Sequence, residues 1–361
     1  MSATTAISIA DLAAGAADAD LLDASARPSR PLQVVDLDLS PAPTAADMER
    51  AVRRARDGSR LLVGRTNRPA SDCPGELLTA LDLTLVRATR DGLCATDADG
   101  LPATVAVTDP AAEAEFLRAR AEEQPQAALV LHQILGMSGE LPVAQALDLE
   151  SLAYSTLLGG AGFAQWLAAR GPRPAPPSAT GDPVVVRREH DVLRITLNRP
   201  ERRNAHSAEL RDALVAAADV AVWDQTVRQV VLDGNGPCFS SGGDLDEFGT
   251  AADLATAHLI RTRAGAALRL HALGSRLTVE IHGTCVGAGV ELPAFAARVL
   301  AAPDTTVRLP ELAMGLIPGA GGTVGIPRRI GRWRTLYLVL DGRAVSAERA
   351  LAWGLVDRIK E

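Results

Sequence analysis

The chain has 361 residues, of which 47% are hydrophobic, so it is long enough for one large or two ordinary domains and apolar enough for a substantial core. This composition excludes disorder throughout the chain. A net charge of -7 and a pI of about 5.5 provide no basic patch, which argues against nucleic acid as a partner.

The four cysteines are scattered along the chain, at Cys73, Cys94, Cys238 and Cys285. None has the CxxC spacing of a zinc or redox motif, and the pattern is typical of free thiols in a reducing compartment. The histidines are dispersed as well, so we expect no metal site. The sequence shows no charged-then-apolar leader and no apolar run of bilayer length. We therefore expect a cytoplasmic protein that does not associate with membranes.

The first part of the chain predicts a tail followed by an α/β region. Residues 1–30 are rich in Ala, Asp and Ser and indicate a poorly ordered tail or a loosely attached helix. Beyond it, the patterns predict a strand over 32–39, an amphipathic helix over 45–55 and a strand over 60–64, which is a βαβ-like order. One more strand is expected within 100–107.

The middle of the chain is predicted to be helical and to end in a linker. Residues 111–170 carry mostly helical patterns, interrupted at glycines and a proline. Residues 172–183 are rich in Pro, Ala, Ser and Gly and favour an extended linker. We therefore place the domain boundary there, between an N-terminal region of residues 31–171 and a C-terminal region of residues 184–361.

The C-terminal region begins with a predicted hairpin, formed by residues 184–186 and 192–197. A helix is expected to start after Ser207, a good N-cap residue. Further strands are expected at 229–232, 277–281 and 299–301, separated by helical stretches. These patterns alone establish only the α/β class.

Three motifs in this region carry the candidate chemistry. They read PCFSSGGDL at 237–245, VGAGVEL at 286–292 and LPELAMGLIPGAGG at 309–322. The last two each set a glutamate, Glu291 and Glu311, in an apolar frame. Burying a carboxylate is costly without a partner or a task, and two carboxylates that share a pocket split their proton affinities. Taken singly, each glutamate could also be a solvated charge at a helix start or in a loop.

Together the three motifs resemble the signature of the enoyl-CoA hydratase/isomerase, or crotonase, superfamily over residues 184–361. The resemblance implies a spiral of strand-strand-helix repeats. It also implies that Glu291 deprotonates a water, that Glu311 protonates the α-carbon, and that the Gly319 N–H orients the water. The backbone N–H groups of Ser241 and Ala288 are expected to form an oxyanion hole. Many relatives have glycine at the Ala288 position, but alanine keeps the N–H.

The turn at 198–205 resembles the family's coenzyme A loop. The resemblance implies that Arg202 and Arg203 meet phosphates and that Ala205 lies against the adenine, since arginine forks suit phosphate. A solvated basic turn is the alternative for either arginine. His206 is expected to line the pocket or pack, and we expect no cofactor beyond the coenzyme A of the substrate.

Typical relatives continue past the equivalent of residues 352–357 into helices that cover the acyl pocket and build trimers, whereas this sequence ends at Glu361. Residues 126–173 resemble that tail, because an acid-bearing helix is followed by Phe163, an apolar pair and a basic end. They are expected to take its place, with Tyr154, Phe163 and Trp166 against the spiral. An unrelated helical pair is the alternative. The resemblance also implies a homo-oligomer, a trimer or hexamer.

The expected activity is reversible addition of water to the 2,3 double bond of an acyl-CoA thioester. Isomerisation, dehydration and thioester hydrolysis use the same oxyanion hole and remain open, since fold alone does not separate them. A non-catalytic acyl-CoA-binding subunit that partners another enzyme is the alternative from another class. The presence of both Glu291 and Glu311 argues against it.

Overall fold

The computed structural model describes residues 6–39, 43–88, 101–172 and 181–361, and Cys94 and most of the expected linker lie outside these ranges. The strands are β1 (Leu32–Asp36), β2 (Leu61–Thr66), β3 (Leu83–Arg87), β4 (Thr104–Val107), β5 (Val184–Glu189), β6 (Val192–Leu197), β7 (Gln229–Gly234), β8 (Leu277–Ile281), β9 (Thr284–Val286), β10 (Arg298–Ala301), β11 (Thr306–Arg308), β12 (Val345–Ser346) and β13 (Arg358–Ile359).

The helices are α1 (Ile9–Ala14), α2 (Ala45–Asp57), α3 (Gly75–Ala80), α4 (Pro110–Glu123), α5 (Pro125–Met137), α6 (Val143–Leu158), α7 (Ala161–Arg170), α8 (Ala208–Trp223), α9 (Leu254–Arg263), α10 (Ala266–Leu273), α11 (Ala288–Glu291), α12 (Gly322–Asp341) and α13 (Ala347–Trp353). Helix α12 is interrupted at Gly331, whose φ is 81°. None of the helices in the described ranges is both long and apolar enough to cross a bilayer.

The first sheet contains four parallel strands in the order β1-β2-β3-β4. Its strands are buried almost throughout because helices cover both faces. Leu61 and Val63 pack in the same core as α4, while Leu62, which points to the opposite face, packs with α1, α2 and α3. The predicted strands over 32–39, 60–64 and 100–107 are present, whereas strand β3 was not predicted.

From residue 6 the chain forms a docked helix, so of the two expected alternatives the attached helix is present and the poorly ordered tail is not. Helix α1 is capped by a reciprocal pair in which Ser8 and Asp11 each accept a hydrogen bond from the other's backbone N–H. Leu12 is fully buried, and Ile7 pairs with Val35 beside the first sheet. A capping box and docking on a sheet edge stabilise this short helix despite its weak apolar periodicity.

The second sheet has six strands in the order β13-β10-β8-β7-β6-β5. The predicted hairpin is present as the antiparallel pair β5 and β6, and the other pairings are parallel. Ser207 caps α8 as expected, since its side chain accepts from the Leu210 N–H.

A small third sheet, β12-β11-β9, places two of the motifs side by side. Strands β9 and β11 are parallel, and Val286 pairs with Arg308, so the segments after them leave the same edge together. The Val286 N–H also donates to the Ser240 carbonyl at 3.1 Å, which ties the first motif to the same edge. The topology therefore collects all three motifs.

Helices α5, α6 and α7 lie against the C-terminal region. The buried Ser138 hydroxyl donates to the Thr323 carbonyl at 2.9 Å, and Phe163 lies 6.5 Å from Phe248 between ring centroids. A continuous set of buried apolar side chains runs from Leu32 in β1 to Val356. The two regions therefore share one core.

Candidate active site

A cavity of about 660 Å³ lies where the three motifs meet helices α6 and α7. Its wall includes Glu291 and Glu311, the Gly242 and Gly287 turns, and Gly319. A volume of this size suits a small-molecule ligand.

Glu291 is buried at the end of α11 and accepts hydrogen bonds from a turn of the third motif. Its Oε2 accepts from the Ala320 N–H at 2.7 Å and from the Gly322 N–H at 2.9 Å. The Gly319 N–H acts on the same carboxylate, which lowers its pKa. The turn therefore favours the ionised form of Glu291.

Glu311 is buried in a 3₁₀ turn and faces Glu291 across Gly287. A Cβ on Gly287 would lie 2.7 Å from Glu311 Oε1 and 3.8 Å from Glu291 Oε1, so both carboxylates border the same small space. Gly287 also has a φ of 49°, so both its conformation and its surroundings require glycine. Glu311 Oε2 is buried without a hydrogen-bond partner among the described residues.

The two carboxyl groups differ in their affinity for a proton. Burial raises the pKa of Glu291 to about 7, and the three N–H groups oppose that rise. Burial, with the negative charge of Glu291 next in size, raises the pKa of Glu311 well above its usual range. Near neutral pH the pair can therefore hold an ionised Glu291 and a protonated Glu311.

The expected oxyanion hole needs a correction at Ser241. The Ser241 N–H already donates to the Arg203 carbonyl at 2.9 Å, so it is not available to a ligand. Gly243 forms an isolated parallel bridge with His206. The two hydrogen bonds of this bridge join the His206 N–H to the Gly242 carbonyl and the Asp244 N–H to the His206 carbonyl, so neither uses the Gly243 N–H. The Gly243 N–H consequently has no hydrogen-bond partner among the described residues, and Gly243 lines the cavity.

Ala288, the other expected donor, begins α11 and also lines the cavity. An N–H group in the first turn of a helix has no partner within that helix, and the described residues supply no other. The available pair of donors is thus Gly243 and Ala288.

In the turn at 198–205, the structure bears on the two arginines that were expected to meet phosphates. Arg202 Nη2 is bonded to Asp244 at 2.7 Å and to Asp246 at 2.8 Å, so this guanidinium is occupied within the protein. Arg203 has an exposed side chain and forms no ion pair with another described residue, and Ala205 closes the same turn with its N–H on the Arg202 carbonyl. Arg203 fits a phosphate contact, whereas Arg202 orders the loop.

The sequence interpretation missed Glu150 as a site residue. This fully buried carboxylate on α6 accepts from the Gly321 N–H at 2.7 Å, the Thr323 N–H at 2.8 Å and the Thr323 hydroxyl at 2.7 Å. Burial, followed by the charge of Glu291, raises its pKa to about 8. The sequence shows that Glu150 is an acid among apolar residues, but it does not show that Gly321 and Thr323 donate hydrogen bonds to it.

The rest of the cavity wall is largely apolar and aromatic. Phe163 stacks on Trp166 at 5.8 Å between centroids, and the Tyr154 ring packs so closely on Gly319 that a Cβ there would lie 2.4 Å from it. Tyr154, Phe163 and Trp166 thus lie against residues 184–361 beside the cavity. His206 also lines it, and burial lowers the pKa of His206 to about 4, so the ring is neutral at pH 7. Within the described ranges no group of three or more His, Cys, Asp or Glu side chains could hold a metal ion.

Comparison with known proteins identifies the family. The family model for enoyl-CoA hydratase/isomerase matches residues 187–360. The chain is 36% identical over 176 residues to 2,3-dehydroadipyl-CoA hydratase of Escherichia coli, a match that covers 49% of this chain and 68% of that protein. It is 35% identical over 173 residues to 1,2-epoxyphenylacetyl-CoA isomerase of the same organism, covering 46% of this chain and 65% of that one.

Among solved structures, the enoyl-CoA hydratase from Thermoplasma volcanium is 31% identical, with a TM-score of 0.46 over 50% of this chain and 72% of that one. The chain belongs to the enoyl-CoA hydratase/isomerase family, whose model matches residues 187–360. It is an enzyme of that family, and its relatives include both hydratases and isomerases.

Proposed function

We propose that the chain adds water reversibly to the 2,3 double bond of an enoyl-CoA thioester. The observation that carries the proposal is the convergence of two buried carboxyl groups of unequal proton affinity beside Gly287. The cavity they border is also lined by Gly243 and Ala288, whose backbone N–H groups have no partner among the described residues. Coenzyme A enters as part of the substrate, and Arg203 would meet its phosphates.

In the proposed reaction, the thioester oxygen accepts from the Gly243 and Ala288 N–H groups. Ionised Glu291 removes a proton from water as the water oxygen bonds to the β-carbon, and the electrons of the double bond move towards the thioester oxygen as an enolate. Protonated Glu311 then gives its proton to the α-carbon. The thioester gains one water, Glu291 ends protonated and Glu311 ionised, and proton exchange restores both groups.

The environments of the two glutamates support this division of roles. A base must be ionised, and Glu291 is the one held by Ala320, Gly322 and Gly319 N–H groups. An acid must be protonated, and the buried Glu311 Oε2, which has no partner within the described part of the chain, favours the neutral form. Hydration needs both groups, whereas moving a double bond needs only a proton carrier.

The test is a panel of enoyl-CoA, hydroxyacyl-CoA and saturated acyl-CoA thioesters followed by absorbance and mass. Hydration predicts loss of the conjugated enoyl absorbance with a mass gain of one water, and incorporation of labelled oxygen from labelled water. An unchanged mass with a shifted double bond would replace the proposal with isomerisation, and release of free thiol would replace it with hydrolysis. Binding without turnover would favour the non-catalytic subunit. The trimeric or hexameric assembly implied by the resemblance stays a prediction.

A further inference from the structure

We propose that the acyl pocket selects acyl groups whose far end carries a carboxylate, with Arg261 as the counter-ion. The inference deepens the proposed function and rests on it, because it assigns the acyl part of the thioester to the cavity beside Glu291. It concerns the substrate class and adds no step to the reaction.

Arg261 lies on α9 in the wall of the cavity, opposite α6. Its Nε donates to the Ser151 hydroxyl oxygen at 3.0 Å, and its Nη2 donates to the Ser151 carbonyl at 3.3 Å and to the Ser155 hydroxyl oxygen. The guanidinium carbon lies 4.9 Å from the centre of the Tyr154 ring. These contacts hold the planar group in one orientation without using its Nη1.

No Asp or Glu of the described ranges lies within ion-pair distance of Arg261. By contrast, Arg263 on the same helix pairs with Asp148, and Arg170 at the end of α7 pairs with Asp246. Glu150 acts on Arg261 electrostatically, but both Glu150 oxygens are taken by Gly321 and Thr323. Since burial favours the neutral form of Glu150, that group does not supply a full negative charge near neutral pH.

A partly buried guanidinium stays protonated, and its desolvation is costly unless an anion compensates for it. Burial lowers the pKa of Arg261, which means that burial disfavours its charged form. The hydroxyl and carbonyl oxygens of the two serines offset only part of the desolvation cost of the Arg261 guanidinium. A ligand carboxylate would supply the missing negative charge, because its two oxygens match the arginine fork.

The position of Arg261 fits the far end of an acyl chain. Glu291 is held by the Gly319 N–H, the Tyr154 ring packs on Gly319, and Arg261 lies on the Tyr154 ring. Arg261 and Gly319 therefore lie against the same aromatic ring, and both line the cavity. The proposal places the β-carbon at Glu291 and the far end of the acyl chain at Arg261.

The alternative is that Arg261 only joins α6 to α9 through the two serines. Binding of saturated thioesters separates the two ideas without requiring turnover. We would measure the Kd of hexanoyl-CoA and of its terminally carboxylated counterpart, together with matched shorter and longer pairs, by isothermal titration of the full chain. The proposal predicts that the carboxylated member of at least one pair binds tighter by roughly 10- to 100-fold, the range of a charge-assisted hydrogen bond.

Arg261→Gln should abolish the difference in Kd between the two members of the pair, whatever its effect on the affinity for each member. Arg263→Gln is the matched control, since Arg263 lies on the same helix with an exposed side chain, and it should keep the preference. Arg261→Lys keeps the charge but not the fork and should retain part of the preference. Equal binding of both members of every pair by the wild-type chain overturns the proposal, even if Arg261→Gln does not fold.

Enzyme assays of the matching enoyl thioesters then separate this inference from the proposed function. Hydration of both members at equal kcat/KM supports hydration and refutes the carboxylate preference. Preferential binding of the carboxylated thioester without turnover supports the pocket assignment and refutes hydration.

Discussion

Replacing Ala288 by proline tests the oxyanion hole through its backbone. The change removes one N–H and little else. The hydrogen bonds that shape α11 come from the Val290 and Glu291 N–H groups to the Gly287 carbonyl, and they do not use the Ala288 N–H. Proline is well accommodated in the first turn of a helix. Gly287 has a ψ of -119°, outside the α region that a following proline disfavours.

The expected loss is that of one oxyanion donor, about 100- to 1000-fold in kcat, or about 2.7 to 4 kcal/mol of transition-state stabilisation. Ala288→Ser keeps the N–H and is the matched control, with turnover close to that of the wild-type chain. Both would be assayed by steady-state loss of the enoyl absorbance, with the Kd of coenzyme A measured separately to show that the site is intact. A proline variant that folds, binds coenzyme A and turns over within a few-fold of the wild-type chain would refute the assignment of Ala288.

The other predictions concern the three carboxyl groups and the order of the chain. Glu291→Gln or Glu311→Gln should lower turnover by about 100- to 10,000-fold with coenzyme A affinity retained, and near wild-type turnover in either variant would exclude the two-glutamate mechanism. The pKa of Glu150, about 8, lies above that of Glu291, about 7, so Glu150 is largely protonated while Glu291 titrates, and Glu150→Gln should leave the acid limb of the kcat/KM profile in place; a limb moved to lower pH would show that Glu150 is ionised and repels Glu291. Residues 184–361 alone should aggregate, because they would expose the apolar surface that α5 to α7 cover. A soluble, monomeric 184–361 fragment that binds coenzyme A would show that these helices are dispensable.

Local patterns were sufficient where neighbours in the sequence determine the structure. The hairpin of β5 and β6 follows from two short apolar runs, and the start of α8 follows from the capping tendency of Ser207. The sequence left a helix within residues 1–30 as one of two alternatives, because its docking at the edge of the first sheet is not revealed by any periodicity in that stretch.

The site was predictable to the level of motifs but not of individual atoms. Glu291 and Glu311 were proposed because both are acids in apolar frames at positions that resemble the family's motifs, and the structure buries both beside Gly287. The choice of Gly243 over Ser241 as the candidate donor was not predictable, because it depends on the hydrogen bond from the Ser241 N–H to the Arg203 carbonyl and on the bridge between Gly243 and His206. Glu150 was missed because its partners, Gly321 and Thr323, lie more than 170 positions further along the chain.

Helix α12 connects parts of the protein that are made at very different times during synthesis. The Trp333 indole N–H donates to the Leu81 carbonyl, 252 positions earlier, and Thr323 donates to Glu150, 173 positions earlier. Such distant contacts close large loops, and they slow folding. Helices α6 and α7, which line the cavity, therefore leave the ribosome long before the three motifs that they cover. The apolar faces of these helices stay uncovered until the C-terminal region has been synthesised. During this interval the nascent protein is most prone to aggregation.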